Sequence, residues 1–254
     1  EQIRDLHENY LGNQGGEVVL VGDFDPEIVL EKFKGVFEGW TSDQPYARID
    51  RPANSLEESR LLSIETPDKK NAMLYGSQKY DLKDTDPEYA ALLLGNFILG
   101  SSGLSSRLGD RVRQQEGLSY GVGSGLTART KDGRADFVIY AITNPSNRDK
   151  LVSVIQEELH RLRDDGVTED ELAGAKESYL QKRQLGRTQD NNLAGKLLGN
   201  LFNDRTMQFD ADFETRISET TLEQVNEAIR KFIDPEKMVI VTAGDFENVG
   251  RDTP

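Results

Sequence analysis

Residues 111–125 read RVRQQEGLSYGVGSG, and the way this stretch folds decides the reading of the rest. A basic, helix-like run meets a glycine and then turns into a strand-like pattern. Upstream, Leu104, Leu108 and Val112 fall on one stripe, so a helix is predicted over 104–115, ended by Gly117. Downstream, Ser119–Arg129 and Arg134–Thr143 read as strands joined by a Lys131-Asp132-Gly133 turn, which predicts an antiparallel hairpin. A helix that reverses at a glycine brings a strand residue just past the turn beside the helix face. Arg113 and Tyr120, seven residues apart, are then neighbours.

Working outward, residues 59–66 and 72–79 alternate as strands, with PDKKN as the turn between them. Asp86 is expected to cap a helix with Pro87 in its first turn. The run AALLLGNFIL then reads as buried on several sides and ended by Gly100. Long helices are predicted at 147–165 and 168–186, the second opened by a capping box of Thr168 and Glu171. Further helices near 190–202 and 208–217 precede a last helix and strand. At the other end, residues 1–11 have helical spacing and Glu17–Val21 reads as a short apolar strand. A helix capped by Asp25 starts at Pro26. Strand pairs followed by runs of helices predict an α+β fold, an antiparallel sheet with helices packed on one face. The βαβ rhythm of a doubly wound nucleotide-binding fold is absent.

The two ends resemble each other. EQIRDLHENYLGNQGGEVVLVGDFD (1–25) aligns without a gap on EQVNEAIRKFIDPEKMVIVTAGDFE (223–247), 222 residues away. Identities include Gly22, Asp23 and Phe24 with Gly244, Asp245 and Phe246, and apolar positions correspond as well. Such a period is too long for a solenoid unit and implies domain-sized copies. The expectation is a remnant of a preceding homologous domain at 1–40, a proline-containing linker at 41–57 and an α+β domain at 58–254, with more of the first copy upstream of Glu1.

Composition narrows the function classes. A net charge of −14 argues against nucleic-acid binding through a general basic surface, and no apolar run approaches the ~20 residues of a membrane span. The absence of cysteine excludes disulfides, thiolate nucleophiles and Cys-ligated zinc, and suits cytoplasm and periplasm equally. The two histidines, His7 and His160, lie in neither H-E-x-x-H nor H-x-x-E-H. No metal site is therefore expected in this chain. GSSGLSS (100–106) and GVGSG (121–125) match no phosphate-loop or dinucleotide pattern, and GLSYG is not a nucleophile elbow.

Arg113 and Tyr120 remain. Two readings are open from the residues alone. One is a solvated helix arginine and a half-buried strand tyrosine. The other is a site, in which a protonated phenol and a permanent cation stabilise negative charge on a carbonyl oxygen or anchor a peptide carbonyl.

The stretch LGSSGLSSRLGDRVRQQEGLSYGV resembles a segment of the insulinase/pitrilysin-type zinc peptidases, the inverted-zincin family. Leu99-Gly100, Ser106-Arg107-Leu108, Arg113 and Gly117-Leu118-Ser119-Tyr120 stand in its successive places. VVLVGDFDPE (18–27) and GVTEDELAGAK (166–176) are similar to other motifs of that family, so the resemblance spans nearly the whole chain. It implies a LuxS/mitochondrial-processing-peptidase-like metallopeptidase domain, and two halves enclosing a peptide. Zinc would be held by the parent enzyme or a partner half and not by this chain. Arg113 and Tyr120 correspond to the family's substrate-contacting pair, with both catalytic and substrate-binding roles. The expected partners are a zinc-bearing homologous half and a peptide. The implied activity is peptide-bond hydrolysis by the parent, with this chain alone inactive. The alternative is a catalytically inactive structural or peptide-binding subunit of the same fold.

Overall fold

The structure, a computed structural model, describes residues 1–54 and 58–248. They cluster into two compact units, Glu1–Asp50 with Lys182–Ala211, and Arg51–Gln181 with the chain from Asp212 onward. The predicted linker straddles this division. Residues up to Asp50 cluster with the first unit, whereas the N–H groups of Arg51 and Ala53 bond to Asp132 Oδ1 (3.2 Å) and the Gly133 carbonyl (3.1 Å). Residues 55–57 and 249–254 lie outside the described residues.

In the first unit, α1 (Gln2–Tyr10) and α2 (Pro26–Phe37) bury no residue. Asp25 caps α2 as its sequence predicts, accepting from the N–H groups of Glu27 and Ile28. His7 stacks on Trp40 at 5.6 Å, and Trp40 stacks on Phe37. The strand expected at Glu17–Val21 does not form. A strand exists only through a paired neighbour, and among the described residues this segment has none. Its counterpart in the repeat, β5, has two.

The second unit holds the core. Its strands are β1 (Arg60–Glu65), β2 (Ala72–Tyr80), β3 (Ser119–Ala128), β4 (Ala135–Thr143) and β5 (Val239–Gly244), in the order β1-β5-β2-β4-β3. β3 and β4 form the predicted hairpin, and β2 is antiparallel to both β4 and β5. Sequence neighbours β1 and β2 do not pair: β5 enters between them and runs parallel to β1. The sheet is therefore mostly antiparallel with one parallel edge pair. The long stretch between β4 and β5 provides the reach for that insertion.

Alternation along the strands separates the faces. Leu74, Phe137, Ile139 and Ile240 are buried, while Met73, Tyr75 and Tyr140 are exposed on the other side. Over the buried face lie α3 (Pro87–Asn96), α4 (Arg148–Asp165) and α8 (Leu222–Phe232), with Leu94, Leu151, Ile155, Leu159, Val225 and Ile229 fully enclosed. α8 opens with a capping box of Thr221 and Gln224. The remaining helices are α5 (Glu169–Gly186), α6 (Asp190–Phe202) and α7 (Met207–Glu219).

Two local expectations change. Asp86 makes no side-chain cap to α3; its Oδ2 instead accepts from the Lys83 N–H at 2.7 Å, closing the preceding turn. Gly100 does not stop the helix, which continues through a wider π turn at Phe97–Ser101. The glycine serves close approach. A Cβ at Gly100 would stand 2.5 Å from the backbone nitrogen of Ser124 on β3.

Candidate functional site

The segment before β3 is not one regular helix from 104. Gly103, at φ +81°, opens a short 3-10 turn, Gly103–Ser105, and leaves Leu104 exposed instead of on the inner stripe. Ser106 then restarts the helix, its hydroxyl accepting from the Gly109 N–H at 3.0 Å. Leu108 and Val112 are fully buried, and the turns over Gly109–Gln115 have π winding. Such widening recurs at functional positions in other helices. Here it changes the phase at which Arg113 leaves the helix.

The start of this segment is clamped by Arg107. Its Nε and Nη2 donate to Glu171 Oε1 and Oε2 at 2.7 and 2.8 Å, and Nη2 also reaches the Gly166 carbonyl at 2.8 Å. Glu171 meanwhile forms the predicted capping box with Thr168. Burial pushes the Glu171 carboxyl up, but the Arg107 and Thr168 hydrogen bonds outweigh it and bring the carboxyl down to about 2. Deeper inside, Glu158 is only 3% exposed and its carboxyl is raised by burial, partly offset by Arg107 and Arg161. Glu158 Oε1 and Arg107 Nη1 stand 3.8 Å apart, and each lacks a hydrogen-bond partner among the described residues.

Gly117, at φ +61°, makes the reversal in the left-handed region that a side chain would resist. The Leu118 N–H returns to the Val112 carbonyl at 2.9 Å, and Thr143 Oγ1 donates to the Leu118 carbonyl at 2.5 Å. At the first residues of β3 the ladder slips. Ser119 opposes Thr143 and Gly121 opposes Ile142, so Tyr120 is the extra residue of a β-bulge. A bulge re-aims one side chain out of the ladder. Tyr120 is 63% exposed, between buried Ser119 and the glycine-rich run Gly121, Gly123 and Gly125.

The structure brings Arg113 and Tyr120 together, but through the main chain. Arg113 Nη1 donates to the Tyr120 carbonyl at 3.1 Å. The phenol has no hydrogen-bond partner and Arg113 no carboxylate partner among the described residues. Arg111, two residues away, differs: it is neutralised by Glu116 and Glu157, and Glu116 also takes Lys150 at 2.7 Å. The arrangement leaves one anchored cation and one free phenol at the edge of the sheet. Beyond them, Tyr75 and Tyr140 oppose each other across β2 and β4.

No group of three or more His, Asp or Glu side chains among the described residues is placed to hold a metal ion. His160 pairs with Glu236 at 3.2 Å, and His7 stacks on Trp40. These residues do not fit a zinc ion. No helix among the described residues is long and apolar enough to cross a membrane. Ser119, whose buried hydroxyl bonds within the bulge, carries no distinguishing signal in the sequence. Its motif, Gly-Leu-Ser-Tyr, shows a serine before a strand but not a slipped register.

Fold and site define an α+β domain with helices on one face of the sheet and a cation–phenol pair at the edge strand. The family model described as the peptidase M16 inactive domain matches residues 1–179. The chain belongs to this family. Among curated relatives, a Helicobacter pylori protein called non-peptidase homolog YmxG is 24% identical over 84% of this chain and 48% of its own length. An uncharacterized zinc protease of Mycobacterium leprae is 30% identical over 63% of this chain and 39% of its own. The crystal structure of a peptidase M16 inactive domain from Pseudomonas fluorescens superposes with a TM-score of 0.72 at 29% identity, covering 88% of this chain and 52% of that one. This chain thus spans about half the length, or less, of the curated relatives it matches.

Proposed function

We propose that this chain is the non-zinc-binding portion of a zinc metalloendopeptidase, presenting Arg113 and Tyr120 to a peptide held against a zinc-bearing homologous half. The observation that carries this reading is the exposed Tyr120 phenol on a bulge whose carbonyl is held by Arg113. The phenol donates to the carbonyl oxygen of the scissile bond and stabilises the charge that develops there. Arg113 holds the strand and supplies a positive field beside it. Residues 1–40 belong, in this reading, to a preceding homologous domain; α1 and α8 occupy matching positions of the repeat. The name of the Mycobacterium leprae relative, a zinc protease, supports the class of reaction. The test is Tyr120→Phe in the intact parent protein assembled with its zinc-bearing half. Turnover falls by roughly 10²–10³ if the phenol meets the oxyanion. Unchanged hydrolysis would remove Tyr120 from the reaction.

A second reading is favoured by the Helicobacter pylori relative, whose name marks it a non-peptidase. There the same pair binds a peptide without cleaving it. Peptide binding that weakens in the Tyr120→Phe protein, with no zinc-dependent cleavage by the parent or its partner, would support this reading.

A further inference from the structure

Tyr120 is exposed where the ladder slips by one residue, and the buried side chain of Ser119 bonds within the slip. Ser119 is 6% exposed. Its hydroxyl accepts from the Gly121 N–H at 3.1 Å and donates to the Ile142 carbonyl at 2.6 Å, with the Gly121 carbonyl at 2.9 Å. These groups lie on the residue that follows the extra one and on the facing strand. A hydroxyl has one proton to donate and lone pairs to accept with, so it can bridge them at once. Without it, part-buried polar groups of the bulge lose a partner, a cost that closing the bulge relieves. Closing the bulge moves Tyr120 by one register position and turns it to the other face of the sheet.

Resting on the reading that Tyr120 contacts the peptide, we infer that Ser119 is a positioning residue that locks the bulge and so aims the phenol. Arg113 anchors Tyr120 itself, through its carbonyl. Tyr120 is thus held at its own carbonyl by Arg113 while Ser119 bonds to the residue after it, and its side chain is left free. Alanine at 119 removes the lock, whereas threonine keeps the hydroxyl.

The test uses the intact parent protein with 3-fluorotyrosine at position 120, in wild-type, Ser119→Ala and Ser119→Thr forms. The ¹⁹F resonance is expected to shift or split in Ser119→Ala and to stay near its wild-type position in Ser119→Thr. An unmoved resonance in folded Ser119→Ala overturns the inference, whatever the activity. If Ser119→Ala lowers Tm enough to impair folding, Ser119→Cys keeps the volume with a weaker hydrogen bond and is read in the same way. In turnover, Ser119→Ala is expected to lower kcat/KM about tenfold in the wild-type background and hardly at all in Tyr120→Phe. Equal losses in both backgrounds would show a general structural effect and overturn it. A silent Tyr120→Phe would instead remove the catalytic role of Tyr120, leaving the ¹⁹F result to judge Ser119 alone.

Discussion

The Arg113 guanidinium donates to the main-chain carbonyl of Tyr120 across 3.1 Å, so the cation grips the strand and leaves the phenol unengaged. The expected consequence is that Arg113 acts partly through Tyr120. On the proposed peptidase reading, Arg113→Ala in the parent protein should lower peptide turnover at least about tenfold, and Arg113→Lys, which keeps the charge and one donor, should recover part of it. Steady-state kinetics at two salt concentrations checks this. Identical rates for all three proteins would count against any role for the guanidinium.

Metal supplementation addresses the chain by itself. Purified to remove contaminating peptidases and given zinc, it is expected to leave a fluorogenic peptide intact, because none of its described side chains clusters as a metal site. Chelator-sensitive cleavage by this chain would contradict that.

Glycines separate contact from freedom. Gly100→Ala places a Cβ 2.5 Å from the Ser124 backbone nitrogen, where no side-chain motion relieves it. A loss of about 2 kcal/mol or more in urea denaturation is expected. Gly174, inside α5, has nothing within 4 Å of a built Cβ, so Gly174→Ala should stabilise by about 0.5–1 kcal/mol. The reverse ranking would count against the close approach of Gly100 to β3.

The Arg107–Glu171 clamp predicts a pH dependence. The folded-state Glu171 carboxyl is depressed to about 2. Its stabilisation is therefore complete above the unfolded value of about 4.3 and fades as pH falls from there towards 2. Glu158, raised by burial, has the opposite sign, favouring the fold less as it ionises. The informative quantity is the Tm difference between wild type and Glu171→Gln at each pH, full near pH 6 and closing below pH 4. A difference constant from pH 6 to pH 2 would exclude the ion pair as its source. Arg107→Ala, which strands Glu158 and Glu171 together, should cost about 2 kcal/mol, between the exposed and fully buried cases.

Much of this was legible in the residues because it is local. Alternation and the Lys131-Asp132-Gly133 turn specify the β3–β4 hairpin, Thr168 and Glu171 specify a capping box, and Gly117 marks the reversal. What failed depends on distant partners. Glu17–Val21 has the pattern of a strand but no described neighbour to pair with. β1 and β2 look like a hairpin, yet β5 takes the place between them. Asp86 satisfies a turn instead of α3, and Gly100 is required by a strand 24 residues further along.

The sequence by itself determined where chain segments coil, extend and turn, and that a guanidinium and a phenol would flank one glycine. Those outcomes follow from backbone preferences and side-chain periodicity over a few residues. Only the tertiary structure decided that Arg113 holds a carbonyl, that the register slips beside a buried Ser119, and that Tyr120 is exposed there. Hydrogen-bond partners and strand register are set by which groups meet across the fold.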